Sequence, residues 1–354
     1  MNICSSADLD WIEKDGLDKE DIKKILNEVD DKISLVKNHI FLRLLKNYVS
    51  GNPPVPKYNF LLGCSSVVYL VSEKYNKKIL LLGDVHTPHN FENTKNSITC
   101  TSYFEKYFKS NTKLIDFFIE IPLFVRYPNL KTSELSYFFQ KFIDCYNYKN
   151  CTFRLHATDI RELMNKDHVL NVLMPLVRAL LNRNFNEAMK LSSKIRDIDN
   201  LHKYVFFTLI NKTPLRKEIN KINDLVLKRR LENFCQNSSS GTKIDGNKMF
   251  LDITKFQKNP NALETLNGNN NYIRNILNLL NPLIEGYTLA RIFKRVEGLY
   301  NPEPKYIVIF QGDTHILDMI NFLQYNDFKI KFRNHERDTR KIDISLLPQP
   351  IFED

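Results

Sequence analysis

Two short stretches of the chain place a histidine three residues after a glycine, each directly behind an apolar run. The first is ILLLGDVH, with Gly83 and His86. The second is VIFQGDTH, with Gly312 and His315. Histidine is the side chain whose ordinary pKa lies closest to neutral pH, so it suits acid–base chemistry or metal binding. Because ligand sites of open parallel sheets lie at the carboxyl ends of the strands, the two stretches predict one shared site.

Acidic side chains accompany both histidines. Asp84 and Asp313 follow the two glycines directly, and Glu120 comes near the end of another apolar run, LIDFFIEI. A carboxylate can orient a histidine that acts as a general base toward water. Alternatively, His86, His315 and Glu120 are nitrogen and oxygen ligands for zinc, manganese or cobalt, with an open position for water. Both routes lead to hydrolysis, and the sequence does not choose between them.

Further polar groups follow the same pattern. The apolar run TFRLHAT at 152–158 ends at Asp159 and Arg161, which we interpret as additional groups of the site. Asp84 and Asp313 have two alternative roles. Each either binds a metal or orients a metal-binding group, or it caps the helix that follows. One Gly-Asp-x-His after a strand is more often a capped loop than a site. Two of them, with a strand-borne acid, favour a site.

The elements that must position these residues form an α/β pattern. Apolar runs at 65–72 and 78–83 predict a hairpin whose second strand leads to Gly83. The remaining elements alternate as a parallel sheet requires, with strands at 114–121, 152–158, 306–310 and 328–332 and helices at about 96–109, 131–146 and 315–324. The sequence therefore predicts a mostly parallel central sheet flanked by helices.

Helical periodicity also covers two long stretches outside the sheet. Residues 1–55 predict a helical N-terminal segment, and residues 166–284 predict a large helical insertion. The predicted α/β core then consists of a first half at 56–165 and a second half at 285–354.

Composition narrows the function classes. The chain of 354 residues is 43% hydrophobic and 12% aromatic, which is typical of a folded globular protein. Its net charge of +10 comes from basic residues scattered among acids, so nucleic-acid binding is not expected. No uncharged apolar run is long enough to span a bilayer. The six cysteines show no zinc spacing, and an intracellular, cytoplasmic protein with free thiols is expected, although Cys145 and Cys151 could be neighbours.

The paired GxxH motifs, the acid between them and an arginine-bearing helix before the second motif resemble one known superfamily. It contains the erythromycin esterases, the TraB/PrgY proteins, the Tiki metalloproteases and the ChaN haem-binding lipoproteins. The resemblance covers roughly 62–165 and 285–335. It implies that His86, His315 and Glu120 are site residues. It also implies a site arginine, which best fits Arg291 in YTLARIFKR, with Arg295 as the alternative.

The resemblance implies a hydrolase that cleaves an ester or a peptide bond in a small-molecule or peptide substrate. The branches of the superfamily differ, because one cleaves peptides with a metal, one hydrolyses esters without a metal and one binds haem. A non-catalytic member of the fold, which binds a ligand or a partner, is one alternative.

A metallophosphoesterase is the lesser alternative. Asp84-Val85-His86 matches the DxH motif of calcineurin-like phosphatases, and Asn334-His335-Glu336 resembles their NH(D/E) motif. That class needs further histidines downstream, and none follows Glu336. Outside this alternative, we interpret His335 as an ordinary surface or core histidine.

Overall fold

A computed structural model describes residues 47, 50, 56–86, 94–122, 133–146, 151–161, 167–237, 245–261, 272–295 and 303–352. The predicted helical segment at 1–55 lies outside the described residues, apart from Asn47 and Ser50, which are both helical. The chain divides into two compact units. The sheet unit comprises Met1–Ile121, Val125–Thr158 and Arg295–Asp354, and the helical unit comprises Pro122–Phe124 and Asp159–Lys294.

The strands of the described residues form two sheets. They are β1 (Phe60–Leu62), β2 (Ser66–Ser72), β3 (Lys77–Asp84), β4 (Ser97–Thr99), β5 (Ile115–Pro122), β6 (Phe153–Asp159), β7 (Tyr306–Gly312), β8 (Lys329–His335) and β9 (Lys341–Asp343). The large sheet has the order β6-β5-β7-β3-β2-β8, and the small one has the order β4-β1-β9. In the large sheet β7 is parallel to both β5 and β3, whereas β2 is antiparallel to β3 and β8. The predicted α/β fold with a mostly parallel sheet is confirmed.

The burial pattern of each strand explains its position in the large sheet. In β3, Leu80, Leu81 and Leu82 are fully buried, as expected of a central strand covered on both faces. β8 has the sequence KIKFRNH and alternates between exposed and half-buried residues, as an edge strand with one solvated face does. The predicted hairpin is confirmed, because β2 and β3 pair from Ser66 opposite Gly83 to Ser72 opposite Lys77.

Both units contain helices. They are α1 (Cys100–Ser110), α2 (Glu134–Tyr146), α3 (Leu170–Leu181), α4 (Phe185–Ser193), α5 (Leu201–Lys212), α6 (Pro214–Ile219), α7 (Leu225–Asn237), α8 (Gly246–Lys258), α9 (Tyr272–Asn278), α10 (Asn281–Phe293) and α11 (Asp313–Tyr325). In the sheet unit, α1 buries Tyr103, Phe104 and Tyr107, and the Phe104 ring meets Phe117 of β5 edge-on. No helix of the described ranges is long and apolar enough to cross a membrane.

The cysteines differ from one another in state. Cys145 and Cys151 are joined by a disulfide, so the prediction of free thiols is wrong for this pair. Cys64, Cys100 and Cys235 are free and buried. Disulfides persist in oxidising compartments, so this pair does not support a cytoplasmic location, which stays a prediction.

Candidate functional site

The carboxyl ends of β5, β7 and β3 lie side by side at one edge of the large sheet, which we call the rim. β7 lies between the other two strands. In the β3–β7 register Asp84 is opposite Gly312, so the two GxxH motifs leave the sheet at the same level. The rim therefore receives residues from distant parts of the chain, as the two motifs predicted.

The carboxylate of Glu120 lies between the two motif histidines. Its Oε2 is 3.4 Å from Nε2 of His86, and its Oε1 is 3.5 Å from Nε2 of His315. Oε2 also accepts a hydrogen bond from the backbone N–H of Gly312 at 2.7 Å. A Cβ added to Gly312 would lie 2.9 Å from Nε2 of His86 and 3.4 Å from Cδ2 of His315. The two rings therefore approach well within the roughly 8 Å that a shared ligand allows.

The backbone of His86 is in the left-handed region, with φ of 56°. For a residue with a side chain, a sparsely populated backbone region costs on the order of 1 to 3 kcal/mol, and such residues cluster at functional sites. Nδ1 of His86 is 3.2 Å from Oδ2 of the buried Asp84. The His86 side chain is 46% exposed, whereas the side chains of Glu120 and His315 are each 8% exposed. Of these three side chains, His86 is therefore the one that can meet a ligand.

The charges of the cluster follow from these contacts. Burial opposes a charge on His86, but its hydrogen bonds to Asp84 and Glu120 prevail and raise its pKa to about 10. Burial likewise opposes the charge on Glu120, but His315 and His86 beside it hold its pKa well below the usual range. At neutral pH, Glu120 is thus a carboxylate and His86 an imidazolium. A protonated imidazole donates hydrogen bonds and accepts no proton, so His86 in this state does not fill the general-base role that was expected of a motif histidine.

Each motif glycine makes room for a side chain of the other motif. A Cβ on Gly312 would lie 2.9 Å from Nε2 of His86 and 3.3 Å from Oε2 of Glu120. A Cβ on Gly83 would lie 2.3 Å from Oδ1 of Asp313. Heavy-atom contacts below 3.0 Å force one of the two groups to shift, so the absence of a side chain at both positions is what lets the motifs interlock.

Gly312→Ala should displace His86 and lower its pKa, because the new methyl group occupies the space between His86 and Glu120. Gly83→Ala should leave that pKa nearly unchanged and destabilise the fold, because it pushes on Asp313. We expect overpacking costs of about 1 to 3 kcal/mol in each case. NMR titration of the histidine rings and urea unfolding check both variants, and each variant controls for the other. The same His86 pKa in both variants would contradict the interlocking.

Asp313 is the first residue of α11, and both of its carboxylate oxygens have partners. Oδ1 accepts a hydrogen bond from Oγ of Ser66 at 2.6 Å, and Oδ2 is 3.1 Å from Nε2 of His335. Ser66 begins β2 and His335 ends β8, where the two residues are opposite each other. The sequence interpretation did not include Ser66 and gave His335 a role only in the metallophosphoesterase alternative, because only the pairing of the edge strand brings the two residues to the rim.

The other predicted site residues belong to the helical unit. Arg161 forms two hydrogen bonds to Asp159, from Nε and Nη2, each at 2.8 Å. Arg291 lies in the last turn of α10, with its guanidinium carbon 5.6 Å from the centre of the Tyr287 ring. The predicted roles of Asp159, Arg161 and Arg291 at the rim stay predictions.

The donor set does not fit a metal ion in this arrangement. Within the described ranges, no group of three or more His, Cys, Asp or Glu side chains is placed to hold one. The oxygens of Glu120 and Asp313 already face imidazole or hydroxyl partners. The expected zinc, manganese or cobalt ion stays a prediction.

The site is thus defined by its own geometry, which consists of a buried carboxylate between two histidines, an aspartate behind each motif glycine, and a third histidine on one of those aspartates. Comparisons with protein-family models, with curated proteins and with the solved structures give no match for this chain.

Proposed function

We propose that the protein is a hydrolase that cleaves an ester or a peptide bond at the rim, in a small-molecule or peptide substrate. One observation carries the proposal: the half-exposed His86 is held between the carboxylates of Asp84 and Glu120, and Glu120 contacts His315 as well. Burying a set of ionisable groups costs folding free energy, and residues with strongly perturbed pKa values cluster at functional sites. We also propose that the chain is a member of the superfamily that it resembles. Residues 1–55 are then a helical N-terminal segment, and residues 166–284 are a helical insertion.

In the proposed reaction, His86 is the group that meets the substrate carbonyl. Its Nε2 forms only a long hydrogen bond of 3.4 Å to Glu120, and because the side chain is 46% exposed, a substrate oxygen can share that N–H. When water adds to the carbonyl carbon, the oxygen becomes negative, and a fixed cationic donor stabilises it. Groups of this kind contribute on the order of 10²- to 10³-fold to kcat. Glu120 keeps His86 charged and in place, and His315 and the Gly312 N–H keep Glu120 in place.

A substrate panel tests the proposal. The full chain is assayed with p-nitrophenyl esters, a mixture of short peptides and p-nitrophenyl phosphate, beside His86→Gln as the matched variant. We expect ester or peptide turnover that falls on the order of 10²-fold in the variant. Turnover of the phosphate alone would favour the metallophosphoesterase alternative, and turnover of nothing would favour a non-catalytic binding protein.

The metal content of the same preparation tests the metal-dependent route. Elemental analysis is made on the wild-type protein and on His86→Gln, before and after dialysis against a chelator. We expect turnover that does not depend on a bound ion. A stoichiometric divalent ion that is lost in the variant, with activity that returns only when the ion is added, would establish the metal route instead.

The proposed site arginine has its own test. Because the resemblance places the arginine at Arg291, we expect Arg291→Ala to lower kcat/KM by about 10²-fold while the melting temperature changes little. Arg295→Ala, on an exposed neighbour, should change neither quantity. Equal losses of activity in the two variants would remove Arg291 from the site.

A further inference from the structure

We propose that His335, oriented by Asp313, is the general base that activates water at the rim. This inference rests on the proposed hydrolysis. A hydrolase of this kind needs one group to stabilise the oxyanion and another to take a proton from water. In the sheet unit both ring nitrogens of His86 face carboxylates, so His86 is placed to donate to an oxyanion, and another group is needed to take the proton.

The contacts of His335 fix which of its nitrogens carries the proton. Nε2 is 3.1 Å from Oδ2 of Asp313, and an ionised carboxylate accepts hydrogen bonds only. The ring is therefore held with its hydrogen on Nε2, which leaves the lone pair on Nδ1. In the ranges that the structure describes, Nδ1 of His335 has no hydrogen-bond partner, and the side chain is 47% exposed. An oriented imidazole with one nitrogen on a carboxylate and the other open to solvent is the arrangement of a general base.

The other two histidines of the rim lack this arrangement. Both nitrogens of His86 face carboxylates, Nδ1 that of Asp84 and Nε2 that of Glu120. The ring of His315 faces Glu120 through Nε2, and its side chain is 8% exposed. Of the three rim histidines, His335 therefore has the most accessible nitrogen lone pair.

Asp313 is itself held firmly. The hydroxyl of Ser66 donates to its other oxygen at 2.6 Å, so neighbouring elements grip both oxygens. As the first residue of α11, Asp313 lies where the helix dipole favours a negative charge. A carboxylate whose orientation is fixed also fixes the orientation of an imidazole ring that donates a hydrogen bond to it. Ser66 and Asp313 are thus positioning residues for His335.

The His335–Asp313 pair is close to the group that would stabilise the oxyanion. Asp313 follows Gly312, the residue beside which Nε2 of His86 lies. β8 runs in the same direction as β3, because both are antiparallel to β2, so His335 is at the rim end of its strand. A carbonyl group bound at His86 would therefore have a candidate base on the β2–β8 side.

The proposed hydrolysis needs no reactant other than the substrate and one water molecule. Nδ1 of His335 takes a proton from water while the water oxygen bonds to the carbonyl carbon, and the carbonyl oxygen becomes an oxyanion beside His86. The carbon–oxygen or carbon–nitrogen bond to the leaving group then breaks, and the leaving atom receives the proton from Nδ1. The products are a carboxylic acid and an alcohol or amine, and His335 returns to its starting state.

A kinetic experiment tests the role with the substrate found in the panel. We expect His335→Ala to lower kcat by about 10²-fold or more while KM changes by no more than about twofold, because the base acts after binding. Added imidazole should restore part of the lost kcat, which a merely structural defect would not allow. His168→Ala, at an exposed histidine of the helical unit, is the matched control and should behave as wild type. A His335→Ala enzyme within about threefold of wild type would overturn the proposal.

A chemical experiment separates this inference from the proposed function. Diethyl pyrocarbonate acylates unprotonated imidazole nitrogens, and peptide mapping identifies the modified histidines. In the full chain we expect His335 to react faster than His86 and His315, and we expect Asp313→Asn to change the rate at His335. Reaction at His335 no faster than at His86 would overturn the inference even if the protein hydrolyses esters. If His335 reacts first but no substrate is turned over, the hydrolase proposal fails, and with it the role of base.

Discussion

Replacing Glu120 by glutamine should lower kcat/KM by about 10³-fold, the upper end of the effect of one preorganised electrostatic group. The carboxylate of Glu120 contacts both motif histidines and accepts the Gly312 N–H, whereas the neutral amide would keep the shape of the side chain without its charge. His86 would then lose one of the two carboxylates that keep it protonated. Its pKa should fall from about 10 toward the ordinary value.

NMR titration of the histidine rings measures that fall without any substrate. Glu105→Gln is the matched control, because Glu105 is a glutamate of α1 whose partners are Lys109 and Lys141. This control should change neither the His86 pKa nor turnover. An unchanged His86 pKa in Glu120→Gln would show that Glu120 does not hold the charge on His86, and the proposed oxyanion group would lose its basis.

Replacing Asp116 by asparagine should cost about 3 to 5 kcal/mol of unfolding free energy at neutral pH, as breaking a buried ion pair does. The carboxylate of Asp116 is fully buried in β5, where Arg154 donates to Oδ2 at 2.6 Å and His156 is 2.6 Å from Oδ1. His156 also stacks on the Phe118 ring, with 4.5 Å between ring centres. Asparagine would leave the Arg154 charge buried without its counter-charge.

The pH dependence of this loss has a definite sign. Burial opposes the charge on Asp116, but Arg154 and His156 prevail and lower its pKa from 3.8 to about 2. A depressed carboxyl pKa contributes stability that is present above the unfolded value and is lost as the pH falls through the folded value. The stability difference between wild type and Asp116→Asn should therefore hold down to about pH 4 and shrink between pH 4 and pH 2.

Urea unfolding at a series of pH values measures this prediction. The matched control is Glu187→Gln, which removes a 4.0 Å surface pair with Lys190 and should cost about 0 to 1 kcal/mol. Asp116→Asn that is no less stable than this control would show that the buried cluster adds nothing to the fold.

The long apolar strands were predictable, and the short ones were not. Runs such as KILLLG end in a glycine and are buried on both faces, so their composition alone indicates central strands. The small sheet was missed because β1, β4 and β9 have three residues each, too few for any periodicity. β4 also occupies Ser97–Thr99, where the pattern predicted the start of a helix. The helix begins at Cys100 instead, with the Thr99 side chain as its cap.

The candidate site divides in a similar way. His86, His315 and Glu120 were found because each lies at or just after the carboxyl end of a buried strand, and parallel neighbours bring these ends to one edge. His335 was missed as a rim residue because the predicted last strand ended at residue 332, whereas β8 continues to His335. The charge state of His86 could not be predicted from the sequence either, because it depends on how closely two carboxylates approach the same ring.

Because the two motifs interlock through their glycines, formation of the site depends on the pairing of β3 with β7 during folding. β3 and β7 are far apart in the sequence, and pairings of this kind are slow to form because a long loop must close first. A slip of one residue between them would turn alternate side chains to the opposite face and pull Gly83 away from Asp313. The alkaline titration of His86 should therefore appear only once the two strands have reached their final register. During refolding, that single imidazole signal would report when the long-range pairing of β3 and β7 is complete.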